Sequence, residues 1–73
     1  MNNAQDRALQ RVNHAYDTLA ATEREFNTLA RQYMLTHSSA VLRQMEMVHI
    51  REIELRRVYI RASRKLARVY EQY

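Results

Sequence analysis

Glu23 and Glu52 are the first residues in this chain whose placement suggests chemistry, because each interrupts an otherwise apolar stripe. Two carboxylates held together away from water do not both ionise, and such a pair can do general acid–base work. The same region also offers cations: Arg24, Arg51 and Arg56, with His49 three residues before Glu52. We favour the simpler reading, in which each carboxylate turns outward to one of these groups. A polar layer of that kind can fix the register of an assembly. Glu46 and His49 have the Glu-x-x-His spacing of di-iron four-helix bundles. Two hairpins would bring two such motifs, with Glu23 as a candidate further carboxylate. Glu23 falls near Glu52, however, about a turn and a half from Glu46, so the set does not close. No metal or other cofactor is expected. His37, Ser38 and Ser39 adjoin one another, but so short a chain cannot build a pocket around a nucleophile. The chain therefore reads as a binding protein and not as an enzyme.

The cations are unevenly spread. Eleven arginines and one lysine against eight acids give a net charge of +4. The first 35 residues are balanced, and the whole excess lies in the second half. Arg56 to Arg68 holds six basic residues and no acid. Arg57, Arg61, Arg64 and Arg68 fall on one line, with Lys65 beside it. Like charges a helical turn apart repel mildly. The row is either a solvated face whose long side chains shield apolar surface, a match for an acidic partner, or a phosphate-binding face. No helix-turn-helix, zinc-finger or stacking-aromatic pattern accompanies it, so nucleic acid is the lesser expectation.

Helices must position these groups. Leu9, Val12, Tyr16, Leu19, Glu23, Phe26, Ala30 and Tyr33 follow alternating steps of three and four, flanked by Ala8, Ala15 and Leu29. Val41, Met45, Val48, Glu52, Leu55, Tyr59, Ala62, Leu66, Val69 and Tyr73 do the same in the second half. The first stripe does not continue into the second; their phases differ by one residue. The change falls at Leu35-Thr36-His37-Ser38-Ser39, the only stretch with turn or N-cap character. The pattern predicts one all-α domain over residues 1–73, an antiparallel, coiled-coil-like two-helix hairpin. Helix 1 is expected at about 4–35, a loop at about 36–39 and helix 2 at about 39–72. One continuous or kinked helix is the alternative. An antiparallel register about the loop sets Leu9 against Leu66, Tyr16 against Tyr59, Phe26 against His49 and Glu23 against Glu52. Tyrosines 16, 33, 59, 70 and 73 fall mostly on the core stripes, with hydroxyls reaching the edge.

Helix 2 carries a second apolar face. At about 100° per residue from Arg57, Leu55, Tyr59, Ala62, Leu66 and Val69 gather near about 150°. Leu42, His49, Ile53 and Ile60 gather near about −60°, with Ile50 near about 20°. A single neighbouring helix covers only one of these faces. We therefore expect Leu42, His49, Ile50, Ile53 and Ile60 to bind a partner, which completes a larger helical bundle. The partner is another helical protein or a second copy of the chain.

Composition sets the remaining bounds. The chain has no cysteine, glycine or proline. Disulfides and thiolate metal sites are excluded, and tight β-turns and glycine-rich phosphate loops are disfavoured. So small a core contributes only about 3–5 kcal/mol, which leaves association as the available staple. No run approaches the ~20 apolar residues of a membrane span, and the first residues lack a signal-peptide core. A cytoplasmic location is expected.

In size, hairpin pattern, partner-seeking second face and absence of cysteine, the whole chain resembles the small co-chaperones of type III secretion needle subunits, the YscE-like proteins. That resemblance implies a cytoplasmic hairpin that joins a helical-repeat chaperone and helps keep the secreted subunit monomeric. The resemblance carries over no individual residue; the second face through Leu42, Ile53 and Ile60 is our own candidate for the chaperone contact. The arginine bias and the Glu23/Glu52 layer depart from that resemblance. The alternative function is a homo-oligomeric bundle that binds nucleic acid through the arginine row.

Overall fold

A computed structural model describes residues 3–71. They form two α-helices, α1 (Asn3–Thr36) and α2 (Ser39–Glu71), packed antiparallel along their full length. Each helix is about 50 Å long at 1.5 Å per residue. The molecule measures 54 × 16 × 12 Å, so it is one helix long and a single layer thick. Gln72, the last position of the expected second helix, and Tyr73, the last of its apolar stripe, lie outside the described residues.

The turn is shorter than the sequence suggests. Thr36 stays helical, and only His37 and Ser38 link the helices. His37 adopts φ 51°, a left-handed conformation that ends a helix and that histidine enters more often than most non-glycine residues. Its N–H donates to the Tyr33 carbonyl at 2.8 Å, closing the last turn of α1. The imidazole packs against the Tyr33 ring, with centroids 5.6 Å apart. Ser38 then caps α2. Its hydroxyl accepts from the Val41 N–H at 3.4 Å and its carbonyl from the Leu42 N–H at 3.1 Å. Thr36 braces the corner by donating to the Gln32 carbonyl at 2.8 Å and accepting from the Ser38 N–H at 3.3 Å.

The α2 seam follows the expected stripe. Val41, Met45, Val48, Glu52, Leu55, Tyr59, Ala62, Leu66 and Val69 are all buried or half-buried. The α1 seam differs from expectation. Its buried residues are Ala8, Ala15, Leu19 and Thr22, so the line is rotated by one position in the first half of the helix. Leu9 and Tyr16, expected in the core, are exposed, Tyr16 by 57%. The physical reason is side-chain size. Alanines at the line of closest approach let the backbones come together, and the bulkier neighbours cover the edges. Thr22 is tolerated in the seam because its hydroxyl donates to the Thr18 carbonyl at 2.9 Å.

Candidate protein-binding face

The hairpin register brings together Tyr16 with Tyr59, Phe26 with His49 and Glu23 with Glu52, as the sequence matched them, whereas Leu9, matched with Leu66, is exposed. Tyr16 and Tyr59 meet with ring centroids 6.0 Å apart, and Phe26 and His49 with centroids 6.1 Å apart. Between these contacts lie Glu23 and Glu52. They do not form an isolated acid pair, because Arg56 bridges them. Its guanidinium lies 2.8 Å from Glu52, one turn earlier on α2, and 3.7 Å from Glu23 across the seam. Glu52 is 8% exposed, whereas Arg56 and Glu23 remain near water. A second bridge, Arg51 to Glu25 at 3.3 Å, ties the opposite edge of the seam. The two carboxylates thus meet across the seam through one shared guanidinium.

Neither chemical alternative assembles here. Glu46 and His49 are both exposed, and His49 lies against Phe26. Among the described residues no group of three or more His, Cys, Asp or Glu side chains could hold a metal. The Ser38 hydroxyl caps α2, and His37 faces Tyr33. No helix of the described residues is long and apolar enough to cross a membrane.

One edge of the hairpin is open, with exposed apolar residues set around a polar centre. Glu23, Phe26, Asn27, His49, Glu52 and Arg56 line a groove on it, which fixes that edge as the side where these positions emerge. On α2, Ile53 and Ile60 stand three and four residues either side of Arg56, with 38% and 47% of their surface exposed. Leu42 and His49 continue the line toward the loop, and both are exposed. Ile50 is exposed as well, closer to the back of α2. On α1, Leu9 and Tyr16 precede Glu23 at heptad spacing, so they share its side. Met34 lies there too, eleven residues beyond Glu23, three helical turns. The partner face expected from α2 alone is therefore half of a larger surface. The sequence reading missed the α1 half because Leu9 and Tyr16 look like core residues there. The signal was present in the neighbouring Ala8 and Ala15, which suit the closest approach better.

The basic residues lie elsewhere. Arg57, Arg61, Arg64, Lys65 and Arg68 are all exposed; Arg57, Arg61 and Arg64 share a groove on the outer side of α2, whereas Lys65 lines a groove with Arg7 and Arg11 of α1. None of them takes part in the ion pairs Arg51–Glu25, Arg56–Glu23 or Arg56–Glu52. Ile60 sits at the border, in a groove shared with Arg57, Arg61 and Arg64.

No family model, no curated protein and no solved structure matches this chain. The functional reading accordingly rests on the geometry of the two helices and the groups they leave open.

Proposed function

We propose that the chain is a protein-binding module that docks its open apolar edge onto helices. The observation that carries this reading is the row of exposed branched residues on α2, Leu42, Ile53 and Ile60, set beside exposed Leu9 and Tyr16 of α1. An isoleucine left in water forgoes roughly 1.5–3 kcal/mol of burial. Several on one edge form a contact patch and not a scatter. The concrete form of the proposal is an adaptor or co-chaperone like the type III secretion needle co-chaperones that the chain resembles. In that role the face would shield an aggregation-prone helical subunit. The location proposed with it is the cytoplasm.

The test is co-purification of the chain from its own cells, beside an Ile53→Asp/Ile60→Asp variant. Both positions are exposed, so the variant keeps its helicity. Partners retained equally by the variant would defeat the reading.

A second reading has its own observation. Six basic residues without an acid from Arg56 to Arg68 give a face that suits phosphate. Nucleic-acid binding there would weaken steeply with salt, and replacing Arg61 and Arg64 by Gln would flatten the slope. An apolar contact would show neither effect.

A further inference from the structure

We propose that the open apolar edge is covered by a second copy of this chain, stacked antiparallel to form a four-helix bundle. This rests on the reading of that edge as a protein-binding face and names its occupant, a second copy in place of the helical subunit that the co-chaperone form would shield.

Area is the first argument. The hairpin exposes 5798 Å² at a mass of 8.8 kDa. A compact monomer of this mass exposes about 4,800 Å². The excess of about 1,000 Å² is close to the ≈ 800 Å² that each partner buries in a stable interface. Among the described residues no side chain is fully buried. The single seam therefore leaves about one interface's worth of surface uncovered.

Charge points to a copy as the occupant. The Glu23–Arg56–Glu52 cluster sits near the midpoint of both helices, with Ile53 within it, and exposed apolar residues flank it on each side: Leu9, Tyr16 and Ile60 toward the termini, Met34 and Leu42 toward the loop. A two-fold axis crossing the hairpin there makes the edge self-complementary. It sets α2 against α2 of the other copy, running the opposite way. Glu46 and Arg64 are eighteen residues apart, five full turns, so they lie on one line of α2 at similar distances from its midpoint. The axis lays Glu46 of one copy beside Arg64 of the other, twice, and His49 beside Ile60. Within one chain the two are about 27 Å apart and cannot meet. Both are exposed, and neither belongs to the ion pairs within the hairpin. The antiparallel stack also carries the basic stretches after Arg56 to opposite ends of a molecule 54 Å long, well beyond the Debye length of about 8–10 Å. A parallel stack would set them side by side.

The experiment is light scattering of the purified full chain over a concentration series, with helicity recorded for each variant. The wild type is expected at twice the chain mass, and Ile53→Asp/Ile60→Asp as a helical monomer. Glu46→Arg and Arg64→Glu are each expected to weaken the dimer tenfold or more through like-charge contacts. Glu46→Gln and Arg64→Gln give smaller losses and serve if a reversal disturbs folding. Mixing Glu46→Arg with Arg64→Glu restores both contacts, so dimer returns at near wild-type affinity. A helical wild-type monomer at all concentrations overturns the second copy. In that case the binding-face reading survives if Ile53→Asp/Ile60→Asp still sheds a cellular partner. A dimer untouched by Ile53→Asp/Ile60→Asp refutes the face itself, and one that mixing fails to restore refutes the antiparallel stack.

Discussion

Arg56 holds two glutamates at once: Glu52 at 2.8 Å on its own helix and Glu23 at 3.7 Å on the other. The arrangement converts a juxtaposition of like charges into a pin for the register. Replacing Arg56 by Met leaves Glu52 buried beside Glu23 without a cation. A charge-assisted hydrogen bond of this kind contributes about 1.5–3 kcal/mol, and partial exposure of Arg56 places the expected loss toward the lower end. Urea unfolding of Arg56→Met measures it. Adding Glu52→Gln should recover part of the loss, and no change in midpoint on Arg56→Met would disprove the pin.

Tyr16 and Tyr59 form an inter-helix ring contact at the open edge. Such pairs contribute about 0.5–1.5 kcal/mol beyond their buried area. A double-mutant cycle with Leu at each position should return a coupling in that range. Zero coupling would mean that the rings merely share an edge.

The left-handed residue of the turn is His37. Conformational strain there is roughly 1–2 kcal/mol for a residue with a Cβ, offset in part by the greater freedom of an unfolded glycine. His37→Gly is expected to raise stability by about 0.5–1 kcal/mol and the thermal midpoint by a few degrees. A lower midpoint would show that the Tyr33–His37 ring contact outweighs the strain.

Ala15 lies in the seam with almost no exposed surface. Enlarging it to Leu forces the helices apart, at a cost of about 1–3 kcal/mol. The same change at neighbouring Ala21, which is exposed, should cost almost nothing. Equal costs would place the seam elsewhere.

The two apolar faces of α2 should respond differently to charge. Val48 is 3% exposed, and an aspartate there would sit unpaired in the seam, so Val48→Asp should unfold the hairpin. Ile53→Asp, five residues on, should keep the helical circular dichroism signal. If both variants lose it, the outer face is also part of the folded chain's core.

The sequence by itself determined the two helices, the antiparallel register and the inward face of α2. Each follows from local periodicity and from the one-residue phase break near His37. It also set Glu23 opposite Glu52, because register is arithmetic once the turn is located. Only the tertiary structure decided which of two adjacent residues, Ala8 or Leu9, Ala15 or Tyr16, lies in the seam of α1. Period alone cannot separate neighbours 100° apart when the stripe is wide; the approach distance of the backbones does, and it selects the smaller side chain. Packing also made Arg56, and neither Arg24 nor Arg51, the cation between the two glutamates. Three arginines stood within reach in the sequence, but only Arg56 emerges beside Glu52 on the edge that Glu23 also faces.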